Sequence, residues 1–307
     1  DRRQRQMCIR DSLRPASFLP YKLERECHTH DLWGFEGFTT YYENVLPFRA
    51  GVLDEDKLLS LTSARFNRVR EREGFHVESL SDASFNAWTH LYKQTPDSAY
   101  CQASYYGKGA VLAFMLDAAL RKAGFSLDEV LKTWFHEALA DPQARSLPDG
   151  GFFERIPVAS IAERFKKLVT SSDRTLWENE WRCALSTLGM SEEADKNTPA
   201  SRMHLGLQLD GLRVRYAESR GSAYAAGLFA GDEIIAVNGL RADAATIERM
   251  ITQAKGSTLH IHYFREHLLR SAEIEVPVNP LPQPGTLKIK SPTEFGRAWI
   301  RSSNRQA

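Results

Sequence analysis

The run Leu32-Trp33-Gly34-Phe35-Glu36-Gly37-Phe38-Thr39-Thr40-Tyr41-Tyr42 decides how this chain is read. From Phe35 to Phe48 its apolar and aromatic residues recur at near-helical spacing, which predicts a buried helix. One carboxylate, Glu36, sits inside that stretch and is followed directly by glycine. Taken alone, Glu36 reads as well as an exposed or helix-capping glutamate as it does as a functional one. Its company of Trp33, Thr39 and a tyrosine pair makes it a candidate.

Working outward, the residues from Leu13 to about Met190 read as mostly helical. Tyr105 to Ala123, with Val111, Leu112, Phe114, Met115, Leu116 and Leu120, predicts a long buried helix stopped by Gly124. Ser126 and Glu129 then form the N-cap and capping-box pair of the next helix. Trp177, Trp181 and Leu188 mark a further helical stripe. Residues 191–201 are polar and contain Pro199, so they read as a linker. Beyond it the texture becomes β-rich, with strands expected over His204–Leu209, Leu212–Tyr216, Glu233–Val237 and Leu259–Phe264. One amphipathic helix, about Ala244–Ala254, lies between the last two. A Pro-rich tail, 277–307, ends in an Arg-rich segment. The fold class expected is α+β.

Composition bounds the function. At 307 residues two domains are expected, and a hydrophobic content of 42% is enough for real cores. A net charge of +1 gives no reason to expect nucleic acid or an anionic membrane as partner. No run approaches the ~18 apolar residues of a membrane-spanning helix. Cysteines at 8, 27, 101 and 183 are too few and scattered for a disulfide framework or a zinc knuckle. They slightly favour a reducing compartment, cytoplasmic before periplasmic, though the location stays open. The first dozen residues, Arg2-Arg3-Gln4-Arg5-Gln6-Met7-Cys8-Ile9-Arg10-Asp11-Ser12 among them, back-translate to a transposase adapter used in building sequencing libraries. Residues 1–12 are therefore expected to be a fusion scar, with native sequence from near Leu13.

Residues 202–276 resemble a PDZ domain of the kind attached to bacterial proteases. The resemblance rests on Leu205-Gly206-Leu207, on Gly221-Ser222-Ala223-Tyr224-Ala225-Ala226-Gly227-Leu228, and on Gly231-Asp232 leading to the Asn238-Gly239 turn. Tyr224 departs from the proline usual there. Such a module implies binding of peptide C-termini by strand addition. Leu205, Gly206 and Leu207 would line the carboxylate loop, Thr246 and Met250 would face the groove, and Ile247 the core. A groove filled by the chain's own tail stays open as the other reading.

A PDZ-like module behind a Trp-x-x-Glu-Gly-x-Thr-x-Tyr-Tyr helix resembles the glycyl aminopeptidase family of PDZ-containing zinc metallopeptidases. Leu13-Arg14-Pro15, Leu80 to Trp88, Ser104-Tyr105-Tyr106-Gly107-Lys108-Gly109 and Leu116-Asp117 also resemble that family; about 141–174 the match is weak. The resemblance implies that 13–190 is the helical C-terminal part of a thermolysin-like catalytic domain. It further implies Zn2+ as cofactor, peptides with a small N-terminal residue such as Gly or Ala as substrates, and Glu36 as the carboxylate ligand. Tyr106 would donate to the oxyanion, with Tyr105 the second candidate; either also reads as a core aromatic. Gly109 reads as a packing residue and Lys108 as the partner of a carboxylate.

The family's zinc helix carries His-Glu-x-x-His, and no such string occurs in the 307 residues. The chain is accordingly expected to be an N-terminally truncated enzyme, inactive by itself. The alternative is a peptidase-derived scaffold that binds peptide termini without catalysis. His136-Glu137 imitates the motif, but position 140 is alanine, so it reads as ordinary helix surface. Cys27, His28 and His30 read either as a private metal cluster with Glu36 or as the wall of a substrate pocket.

Overall fold

The computed structural model describes residues 13–300, with 21, 23 and 284 excepted; the expected scar at 1–12 and the chain after Ile300 lie outside the described residues. The chain is α+β. Its centre is the helix Tyr105–Lys122, which starts where Ser104 Oγ accepts from the Gly107 N–H. Val111 to Leu116 are all at most 1% exposed, so this helix is buried on every face over that run. It ends in a basic turn before Gly124, which adopts φ +84°. Ser126 caps the following helix, Leu127–Ala140, by accepting from the Glu129 N–H.

The run around Glu36 enters as a π-helical turn, Trp33–Gly37, and continues as the helix Phe38–Arg49. It crosses the central helix at glycines. A Cβ added to Gly37 would stand 2.6 Å from the Gly109 Cα, and one added to Gly109 would stand 2.8 Å from the Trp33 carbonyl oxygen. The helices Glu55–Arg70 and Arg174–Leu188 close the other sides, the latter burying Trp177, Trp181 and Leu188 as the stripe predicts. Strands are few here: β1 (Arg14–Pro15) pairs in parallel with β2 (Ser146–Leu147).

The first residues of the expected linker form a strand, β3 (Met190–Glu193). A small unit follows. Its sheet contains β4 (Leu207–Asp210), β5 (Arg213–Ala217), β6 (Glu233–Val237), β7 (Leu240–Arg241), β8 (Thr258–Arg265) and β9 (Leu268–Glu275). The order is β4-β5-β6-β8-β9, with β7 beside β6, and the helix Ala244–Gln253 packs Ile247 and Ile251 onto it. Asn238 and Gly239 both take positive φ, 49° and 77°, at the hairpin between β6 and β7. Two readings change. His204 and Leu205 belong to a π-helical turn, Ser201–Leu205, rather than a strand, and β9 was not foreseen.

The stretch read as a tail does not trail away. β10 (Thr286–Ile289) pairs antiparallel with β3, and the Leu287 N–H donates to Ser63 Oγ at 2.8 Å. The helix Glu294–Ile300 then brings Trp299, 1% exposed, against Phe114. Its Nε1–H donates to Tyr41 Oη at 2.7 Å, and Tyr41 donates to the buried Asp117 carboxylate at 2.9 Å. The small unit is thus inserted between two paired strands of the helical unit. It is seated by the Arg72 guanidinium over Tyr216 at 4.7 Å, by Tyr100 stacked on Tyr216 at 5.1 Å, and by ion pairing of Arg202 with Glu71.

Replacing Trp299 by alanine should destabilise the helical unit by about 3–5 kcal/mol, the usual cost of emptying a buried aromatic site. Urea unfolding measures it; a loss within the scatter of surface substitutions would mean that this helix is dispensable.

Candidate functional site

The π-helical turn is fixed from beneath by Trp33. Its indole is wholly buried, stacks on Phe153 at 5.5 Å, and its backbone N–H donates to Ser84 Oγ at 3.1 Å. Asp31 holds the approach, accepting from the Gly150 N–H at 2.6 Å, and burial raises its pKa. Thr39 Oγ1 donates to the Glu36 carbonyl at 2.8 Å. A π turn carries one residue more than an α turn, and here it leaves Glu36 half-buried between Trp33 and Gly37.

Across the glycine contact stand the two tyrosines at the start of the central helix. Their rings stack at 4.7 Å; Tyr105 is 2% exposed and Tyr106 half-buried. The Tyr106 phenol is pushed up to about 12, first by burial and next by the negative charge of Glu36. Glu36 and Tyr106 are therefore neighbours, although 70 residues apart in sequence. Tyr105 is raised too, chiefly by burial and then by Tyr92. Tyr92, which no sequence motif marked, reaches both phenols from the turn after Phe85 and is itself exposed. Trp88 lies 6.0 Å from it.

Lys108 corrects an expectation. It is fully buried, but its Nζ donates to two backbone carbonyls, Phe75 at 2.6 Å and Glu78 at 2.7 Å, instead of to a carboxylate. The ammonium also lies 4.8 Å from the Phe75 ring and 4.7 Å from the Trp177 ring. Burial lowers its pKa to about 7, against the opposing charges of Glu78 and Asp82. The Glu78 carboxylate instead takes the Ala103 N–H at 2.7 Å and the His90 ring at 2.6 Å. These bonds tie the chain before the central helix to the turn that carries Trp88 and Tyr92.

The groups named as a private cluster do not converge as a metal site among the described residues. His28 Nδ1 lies 2.9 Å from the Phe85 carbonyl, and His30 Nδ1 lies 3.0 Å from Ser81 Oγ with its ring stacked on Phe85. Cys27 offers its carbonyl to Trp88 Nε1. His136 is exposed helix surface and Glu137 pairs with Arg155. Among the described residues no group of three or more His, Cys, Asp or Glu side chains converges. A three-ligand zinc site needs such a group, so the residues present here do not by themselves fit the metal; Glu36 contributes one carboxylate.

In the small unit, Leu205 and Leu207 are wholly buried, and Gly206 between them takes φ +74°. Asp243 caps the helix Ala244–Gln253, its carboxylate accepting from the Thr246 N–H and Oγ1–H. Met250 is half-buried against the core. The segment after β9 comes back over this loop. The Leu281 N–H donates to the Met203 carbonyl at 2.7 Å, Leu281 Cδ1 would stand 3.3 Å from a Cβ on Gly206, and His204 Nδ1 lies 2.8 Å from the Pro277 carbonyl.

With this geometry in view, comparisons with known proteins become informative. The family model of M61 glycyl aminopeptidases matches residues 10–112, which contain Glu36 and Tyr106. An aminopeptidase N family protein from Idiomarina loihiensis has a similar crystal structure, 27% identical with a TM-score of 0.79. The similarity covers 96% of this chain and 54% of that one, so the chain spans about half the length of the protein it matches. No curated protein matches the chain.

Lys108 generates a pH-dependent prediction. Its folded pKa of about 7 lies below the ordinary lysine value. Between those values the unfolded chain binds the extra proton, so stability rises with pH across that window. Relative to Lys108→Met, the unmodified chain should gain about 2 kcal/mol between roughly pH 7 and pH 9, at 1.36 kcal/mol per unit. Parallel pH profiles in chemical denaturation would refute it.

Proposed function

We propose that this chain forms part of a zinc-dependent aminopeptidase acting on peptides with a small N-terminal residue such as Gly or Ala. Glu36 is the carboxylate ligand and Tyr106 the oxyanion donor, with Tyr105 behind it. The observation that carries the reading is the meeting of Glu36 and Tyr106 across the Gly37–Gly109 contact, within the stretch that matches glycyl aminopeptidases. Tyr106, like any tyrosine, keeps its proton at neutral pH, and so can donate a hydrogen bond to a developing negative oxygen; its pKa pushed up to about 12 keeps it protonated further into alkali. Tyr92 orients that phenol from outside and the Lys108 contacts fix the helix start from below. The imidazole ligands of zinc come, in this reading, from outside these 307 residues, and the chain alone is inactive.

The small unit is, on the same reading, a PDZ module. Its strand order, the Gly206 loop and the helix Ala244–Gln253 support this. Peptide C-termini are the partners that such a module implies. A second reading, a loop engaged by the chain's own return segment, is favoured by the contacts of Pro277 and Leu281 with His204, Met203 and Gly206.

The test is metal analysis with an aminopeptidase assay on Gly- and Ala-anilides. The chain alone should hold no tight zinc and show no turnover; tight zinc at one per chain would overturn the proposal. In a chimera carrying, ahead of Leu13, the corresponding half of a similar active aminopeptidase, Glu36→Gln should abolish zinc retention. There Tyr106→Phe should lower kcat by about 10²–10³ with KM little changed. Activity indifferent to both substitutions would sink it.

A further inference from the structure

β8 lies between β6 and β9 and is therefore held on both edges. Its odd-numbered residues, Leu259, Ile261 and Tyr263, point into the core. His260 and His262 consequently share the outer face, as residues two apart on a strand must. Their ring centroids are 4.5 Å apart at an interplanar angle of 68°. The register with β9 puts Glu273 opposite His260 and Ser271 opposite His262. On the other side, Ala236 is opposite His262, with Arg241 one strand further.

We propose that His260 and His262 form a two-imidazole clip for a divalent transition-metal cation. Imidazoles on one strand face reach a common ion without any backbone movement, and borderline cations prefer such nitrogen donors. No hydrogen bond from a described residue ties either ring: the His262 Nδ1 is buried without a partner, and His260 is bonded only through its backbone to Asn238. Turning the rings toward a shared ion therefore breaks nothing. The chain contains an internal comparison. His28 and His30 have the same spacing, but both rings pack on Phe85 and their Nδ1 atoms lie against the Phe85 carbonyl and Ser81 Oγ. Two protein nitrogens leave the remaining positions to water, so binding is modest and reversible. It requires neutral imidazoles and weakens on acidification.

Titration of the full metal-free chain with Ni2+ by calorimetry, followed by thermal unfolding, tests the clip. One equivalent should bind and raise the unfolding temperature. His260→Asn and His262→Asn should each weaken binding about tenfold or more, because each removes a ligand. His28→Asn should leave it unchanged. Lowering the pH from about 7.5 to about 5.5, across the ordinary imidazole value, should also weaken it. Equal affinity in the His260→Asn/His262→Asn double variant, affinity that follows His28, or no binding by roughly millimolar Ni2+ would each overturn the assignment. Both histidines lie on the sheet's outer face, and the near-ultraviolet spectrum of each variant verifies that the fold persists.

Discussion

Everything at the candidate site depends on one backbone contact. Gly37 and Gly109 let the π-helical turn and the central helix meet with no side chain between them, closer than any Cβ permits. That approach sets the distance between Glu36, one residue before Gly37, and Tyr106, three residues before Gly109. A methyl group at either glycine would strike backbone, which cannot turn aside as a flexible side chain does. The aromatic bed of Trp33, Phe38, Phe152 and Phe153 then stops the turn from sliding along the helix.

The same central helix links the site to the rest of the molecule through buried polar groups, each of them satisfied. Lys108 fastens the loop around Phe75 and Glu78, and Asp117 receives Tyr41, Arg121 and the Leu127 N–H. Buried charge is costly unless bonded. These groups therefore specify the arrangement more than they add stability. Through Trp299 on Tyr41, the end of the described chain joins that network. A unit that seemed finished at Met190 in the sequence is completed almost a hundred residues later.

Much of this was legible. Ser126, Gly124 and Asn238-Gly239 are local signals whose geometry needs only neighbouring residues, and each sits where its chemistry predicts. The tryptophan stripe of Arg174–Leu188 was readable from its period. β9 was missed because Leu268, Leu269 and Arg270 are all exposed, so the alternation that marks a half-buried strand is absent from its first half. The return of residues 286–300 was missed because Pro292 splits its apolar residues into two pieces too short to show a period. The carboxylate expected for Lys108 was a guess about pairing that the fold answered with carbonyls and ring faces.

By itself the sequence determined which segments are helical, which are β-rich, and which residue types carry chemistry. Those properties follow from side-chain periodicity and turn preferences over a few neighbours. Only the tertiary structure decided that Glu36 comes close enough to Tyr106 to raise its pKa, that Tyr92 reaches the same phenols, and that the last described helix closes the first core. Such meetings depend on long-range packing around small residues, and contact between positions tens or hundreds of residues apart leaves no local mark in a single chain.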